Sequence, residues 1–280
     1  CFEYWYGPYP FYEDSYKLVE TPHLGMEHQS AVAYGNKYLN GYLGMDISGS
    51  GWGKKWDYII VHESGHEWFG NNITTNDIAD MWVHEGFTDY SEPLFVDYAY
   101  GKTAGDTYCQ GLRRNVRNDG PVIGHYGVNN EGSGDMYPKG ANLLHNIRQL
   151  IDNDEKFRQI LRGLNRDYYH QTVDSRQVEK YIAEKSGLEL SKIFDQYLRT
   201  TMIPELNLQL SPRKGRPGYQ VKYKWSHTVS GFAMPVRLWV NGQVVWIKPG
   251  SETRSINLAE LKSADGLEVD KNFFITVKKS

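Results

Sequence analysis

Cysteine is nearly absent from this 280-residue chain, which has Cys1 and Cys109 and no others. Two thiols without a C-x-x-C pair exclude a disulfide scaffold. We read them as unrelated thiols, with a disulfide between them as the alternative, so the redox compartment stays open. Long hydrophobic runs are missing too, and none approaches the ~20 residues that a membrane-spanning helix needs. Nor does one sign of charge dominate. There are 31 basic and 34 acidic residues, for a formal net charge of −3, and no basic stripe occurs. The charge pattern therefore gives no footing to nucleic acid or to an anionic membrane as partner. The chain opens on Cys1 with no signal-peptide pattern after it, and we expect it to be a piece of a longer protein. An upstream export signal, and with it export to a periplasm, fits that expectation.

What is present is a large apolar fraction, 40% of residues with 14% aromatic. That is enough to bury one large core and a smaller second one. Residues 1 to about 55 are rich in Tyr, Gly and Pro and read as short strands joined by turns. From Trp56 to about Arg199 apolar residues recur every three or four positions. The clearest stretches are 141–151, 155–164, 175–185 and 190–198, with Gly163 and Gly187 where helices are expected to stop. Beyond Pro204 the period falls to two, as in Leu206, Leu208, Leu210 and again Tyr219, Val221, Tyr223, Trp225. Asn241-Gly242 between two apolar runs is a strong hairpin signal. The expected class is α+β, with a boundary near Pro204 and a β-sandwich over 204–280.

The chemistry concentrates in His62-Glu63-Ser64-Gly65-His66. On a helix, positions four apart project from one face, so His62 and His66 can share a metal ion. Glu63 lies about 100° round, beside the ion rather than on it, where a proton acceptor for water belongs. Gly65 costs a helix about 1 kcal/mol relative to Ala, which points to close packing at that position. A second helix is expected around 80–92, and it brings Glu85, with residues 67–84 left for a turn and an antiparallel return. Two imidazoles, one carboxylate and a fourth position for water form the ligand set of a catalytic zinc, whereas structural zinc more often takes four ligands and several thiolates. The net +1 left on the ion acidifies water, and Glu63 can then act as general base. Glu92 is placed to orient a ligand histidine from behind, and Asp89 competes for that role. His84 points away from the metal by about 100° relative to Glu85, so Glu85 is kept as third ligand.

These residues resemble the gluzincin aminopeptidases of the aminopeptidase N type. Three motifs carry the resemblance across roughly residues 1–200: the zinc motif with its spacing, Gly25-Met26-Glu27-His28, and Tyr137-Pro138-Lys139-Gly140-Ala141. The resemblance implies a thermolysin-like catalytic domain over residues 1–203, made of a small strand region and a mostly helical lobe. It implies one Zn²⁺ per chain and cleavage of peptides with a free N-terminus. Glu27, with Gly25 and Met26, would bind the substrate amine, and the Tyr137 hydroxyl would stabilise the oxyanion. Lys139 is read as structural. Where the family usually has Asn, this chain has His28 and His84. The resemblance also implies that an N-terminal domain of the same protein is missing from this chain. A zinc endopeptidase and a catalytically idle peptide-binding scaffold are the rival readings.

Overall fold

The computed structural model describes all 280 residues, and its contacts divide them into two units, Cys1–Glu189 and Leu190–Ser280. The first unit begins with a short helix, α1 (Phe2–Tyr6), where strands were expected. Five residues are too few to display a helical period. Then follow β1 (Leu18–Glu20), β2 (Gly25–Met26) and β3 (Val32–Tyr34). They form a small sheet in the order β1-β3-β2, with β1 parallel and β2 antiparallel to β3.

The helical part comprises α2 (Tyr58–Gly65), α3 (Trp82–Tyr100), α4 (Lys102–Leu112), α5 (Pro138–Ile151), α6 (Asp154–Asp167) and α7 (Ser175–Ser186). Two short strands, β4 (Ile73–Thr75) and β5 (Gln171–Val173), pair in parallel. The helices expected at 141–151, 155–164 and 175–185 are α5, α6 and α7. Gly187 ends α7 at φ 72°, the left-handed stop that glycine favours. Gly163 does not end a helix. It lies inside α6, where a Cβ would collide with the Tyr181 hydroxyl. Cys1 and Cys109 are both free.

Helix α3 organises this unit. From Trp82 to Leu94 every side chain is buried, polar ones included. Helix α2 starts firmly because Asp57 caps it, accepting from the backbone N–H of Ile59 at 3.1 Å and Ile60 at 3.3 Å. Asp57 is itself gripped by the Tyr34 hydroxyl and by Asn36 Nδ2, the latter at 2.8 Å. Tyr34, Trp56, Tyr58, Ile59, Val96 and Tyr108 pack into one apolar cluster behind α2. Gly65 lets α2 approach α3 closely, since a Cβ there would stand 2.6 Å from Ser91 Oγ and 3.2 Å from Thr88 Cγ2.

The second unit holds α8 (Ser191–Arg199), β6 (Glu205–Pro212), β7 (Tyr219–Ser226), β8 (Val236–Val240), β9 (Gln243–Ile247), β10 (Arg254–Leu258), β11 (Leu267–Val269) and β12 (Thr276–Lys279). The strands form two sheets, ordered β10-β7-β6-β12 and β11-β8-β9. The β8–β9 hairpin turns at Asn241 (φ 49°) and Gly242 (φ 82°), as the Asn-Gly signal requires. Helix α8 packs with these strands, and its Tyr197 hydroxyl donates to the Phe274 carbonyl at 2.5 Å. The units therefore part at Glu189, ahead of the change in periodicity at Pro204.

Candidate metal centre

Helix α2 supplies His62 and His66, and α3 supplies Glu85 one turn from its start. The three side chains meet. Glu85 Oε2 lies 3.7 Å from His62 Nε2 and 3.3 Å from His66 Nε2. All three residues are buried, yet Glu85 Oε2 has no hydrogen-bond partner. A buried carboxylate oxygen without a donor is costly, and a cation at the point where the three atoms converge removes that cost. Ligand atoms ~2.1 Å from a tetrahedral zinc stand about 3.4 Å from one another, close to the separations seen here. The residues thus fit a zinc ion.

The rings are held from behind. His62 Nδ1 donates to Glu92 Oε1 at 2.8 Å, and the Tyr58 hydroxyl lies 3.2 Å from the same nitrogen. The other oxygen of Glu92 accepts from the Tyr108 hydroxyl at 2.7 Å. His66 Nδ1 donates to the Phe69 carbonyl at 3.0 Å, with Thr88 Oγ1 3.2 Å away. With both Nδ1 atoms carrying protons, both Nε2 lone pairs are free for a metal. Tyr58, Thr88 and Tyr108 were not singled out from the sequence. Tyr58 and Thr88 each stand three or four residues from a candidate ligand, which is the one signal that could have found them.

Asp89 and Glu92 divide along the lines the sequence left open. Glu92 contacts His62, whereas Asp89 is buried beside Glu92, with Oδ2 lacking a hydrogen-bond partner. Burial, and then the neighbouring Glu92 charge, push the Asp89 carboxyl well above the usual range. His84 is turned toward β4, and its Nε2 accepts the Thr75 N–H at 3.0 Å. Burial lowers its pKa to about 4, so it stands neutral and committed to that bond.

Glu63 faces the candidate metal position from the strand side. Its carboxylate, that of Glu27 and a ring nitrogen of His66 lie within 4.8 Å of one another. Burial raises the Glu63 pKa against the pull of His62 and His66, and Glu27 and Glu85 add to the rise. Gly25 in β2 backs onto Glu63, and Met26 is exposed beside it. Glu27 follows directly, with its backbone carbonyl accepting from Asn71 Nδ2 at 2.9 Å.

Tyr137 sits at the N-terminus of α5 with its ring 6.1 Å from that of His62. Burial and then the nearby Glu85 hold its phenol far above the usual value, so it stays protonated and able to donate. Its position depends on a close crossing of α3 and α5. A Cβ on Gly140 would stand 2.8 Å from Gly86 Cα, and Gly86 directly follows Glu85. Lys139 is buried, and its Nζ donates to Asn118 Oδ1 at 3.1 Å.

A mixed α+β frame carrying His-Glu-x-x-His on one helix and a glutamate on the next has the layout of a zinc metallopeptidase. The chain belongs to peptidase family M1, whose domain profile matches residues 2–197. It is 25% identical to aminopeptidase N of Lactococcus lactis subsp. lactis over 222 residues, covering 71% of this chain and 26% of that protein. With human aminopeptidase N it shares 35% identity over 94 residues, 31% of this chain and 10% of the other. The chain matches between about a tenth and a quarter of the length of such relatives. Among solved structures it resembles Legionella pneumophila aminopeptidase A in complex with aspartic acid. There the TM-score is 0.70 at 14% identity, covering 94% of this chain and 31% of that one. It also resembles a mutant M1 zinc metallopeptidase from Deinococcus radiodurans bound to a Tyr-Ser-Ala substrate. That match has a TM-score of 0.55 at 21% identity, over 70% of this chain and 41% of the other. At these identities the structural likeness is one of fold. No helix is long and apolar enough to cross a membrane.

Proposed function

We propose that this chain is the catalytic part of a zinc-dependent aminopeptidase, holding one Zn²⁺ through His62, His66 and Glu85. The observation that carries the reading is the pairing of Glu27 with this site, its carboxylate within 4.8 Å of Glu63 and His66. A carboxylate there offers a counter-charge to a substrate ammonium and sets how far a peptide can enter. Family membership and the names of the relatives support the same activity. When bound, zinc supplies a Lewis acid that polarises the scissile carbonyl and acidifies water. Glu63 takes the proton from the attacking water and delivers it to the leaving amine. The Tyr137 hydroxyl donates to the oxygen that gains charge in the transition state. Glu92 orients His62, and Phe69 with Thr88 orients His66. Gly25 and Met26 line the path to the amine anchor.

The first unit is read as a thermolysin-like catalytic lobe. The two sheets after Pro204 are read as a β-sandwich, because each buries one face: Leu206, Leu208 and Val221 in one, Val236, Leu238 and Ile247 in the other. The catalytic domain runs over 1–203 and the sandwich over 204–280 by sequence texture, with α8 assigned to the second unit by its contacts.

The test is digestion of one peptide in free and N-acetylated form by zinc-loaded protein, with products read by mass. Stepwise loss of single residues from the free peptide, with the acetylated one intact, is the expected result. Internal fragments from both would make the protein an endopeptidase.

A further inference from the structure

Glu27 follows a strand of only two residues, and something besides the sheet must hold it in place. The backbone turns sharply here, with the His28 N–H donating to the Met26 carbonyl at 2.9 Å in a three-residue turn centred on Glu27. Such a turn leaves the Glu27 carbonyl outside the sheet's hydrogen bonding. That carbonyl accepts from Asn71 Nδ2 at 2.9 Å.

Asn71 is anchored to the metal helix. Its own N–H donates to the carbonyl of His66, a candidate ligand, at 3.0 Å. Between them Gly70 takes φ 129°, beyond the comfortable range of other residues, and so lets the chain fold back beneath the His66 ring. A Cβ at Gly70 would stand 3.2 Å from His66 Nδ1. One residue thus holds the backbone of a metal ligand with its main chain and the backbone of the amine anchor with its side chain. A second tie runs alongside. Glu67, fully buried, accepts the Ser30 N–H at 2.7 Å and keeps the far end of the same loop on the same helix end.

We propose that Asn71 is a positioning residue that sets the distance between Glu27 and the metal, and through it the preference for a free amino terminus. The proposal rests on reading Glu27 as the amine anchor. The side-chain amide matters because it couples two parts of the site that come from different elements. Small changes in this distance shift the ammonium relative to the scissile carbonyl, and a displacement on the order of 1 Å is costly in a catalytic site. A merely structural asparagine would hold the loop without acting through Glu27, and the two roles separate in a double-mutant cycle.

The cycle is built on zinc-loaded Glu63→Gln protein, so that peptides bind without turnover. Affinities for Ala-Ala-Ala-amide and its N-acetyl form are measured by titration calorimetry. Asn71→Ala is expected to weaken the free peptide about tenfold, the size of one lost neutral hydrogen bond, and to leave the acetylated peptide unchanged. In a Glu27→Ala background the same substitution is expected to change neither. Zinc content and circular dichroism accompany each variant. Should the alanine variant not fold, Asn71→Ser, whose side chain is too short to reach the carbonyl, carries the same expectations. Equal weakening of both peptides, or an undiminished effect without Glu27, overturns the proposal. So does a free-amine preference that is undiminished by loss of the Asn71 amide. A parent protein that shows no free-amine preference overturns the aminopeptidase reading itself, and this proposal with it.

Discussion

The carboxylate of Glu63 fills the space in which a side chain at position 25 would begin. A Cβ on Gly25 would stand 2.5 Å from Glu63 Oε1 and 2.8 Å from Ile59 Cγ2. Gly25 therefore shapes the wall against which the proposed general base rests, in addition to lying on the route to Glu27. Both clashing atoms are side-chain atoms on α2, and the Glu63 carboxylate, at the end of a flexible side chain, can yield without moving the backbone that bears His62 and His66.

From that contact we expect Gly25→Ala to push Glu63 out of line with the attacking water. Zinc content should remain at one ion per chain, while kcat falls by at least tenfold, roughly 1.4 kcal/mol in activation free energy. Kinetics together with elemental analysis check it. A normal kcat would mean that the strand gives way instead of the base.

Removing a ligand should act on the metal directly. With His62→Ala, two of three protein ligands remain, and zinc affinity is expected to fall by orders of magnitude. Dialysis against a chelator buffer followed by elemental analysis reads the difference. Full occupancy in the variant would overturn the ligand assignment.

Much of this centre was legible because an α-helix converts sequence spacing into direction. His62 and His66 share a face by geometry alone, and the length of residues 67–84 sufficed for Glu85 to return. Asp89 and Glu92 could not be separated that way. Both lie close to the Glu85 face, and the carboxylate that meets His62, Glu92, is also held by Tyr108, which comes from α4 and has no sequence relation to it. Tyr137 stands among 21 tyrosines, and nothing in its own neighbourhood marks it apart from the family motif. The Gly86–Gly140 contact joins two helices far apart in the chain, so no local period announces it. The contact division at Glu189 lies ahead of the textural one at Pro204 for a related reason. Helix α8 has the same amphipathic texture as α7, and only its contacts assign it to the strands.

Glu63→Gln keeps the shape of the side chain and all three ligands but cannot accept a proton. Zinc should stay bound while kcat drops by roughly 10²–10⁴-fold. Near-normal turnover would remove Glu63 from the mechanism.

The bond from His62 Nδ1 to Glu92 offers a subtler probe. Glu92→Gln still accepts that proton but loses the charge that makes the imidazole a stronger donor to the metal. Zinc affinity is expected to fall by about 10–100-fold with the fold intact. Competition with a fluorescent chelator measures it, and unchanged affinity would reduce Glu92 to a buried packing residue.

Tyr137 and Gly140 should fail in the same way, because one places the other. The Tyr137 hydroxyl matters once the substrate oxygen gains charge, so Tyr137→Phe is expected to lower kcat and leave KM nearly unchanged. One such donor is worth about 3–4 kcal/mol, or roughly 10²–10³ in kcat. Gly140→Ala keeps the tyrosine and its hydroxyl but inserts a methyl group 2.8 Å from Gly86 Cα, where backbone faces backbone and no flexible side chain can yield. The α3–α5 crossing must open, carrying Tyr137 away from Glu85 and the metal position. The expected signature is again a fall in kcat with KM held and zinc retained, now with a lower melting temperature because the crossing itself is loosened. In the double variant the two losses should not add, since a displaced tyrosine has no hydroxyl contribution left to lose. Additive losses in steady-state kinetics would show that Gly140 acts on something other than Tyr137.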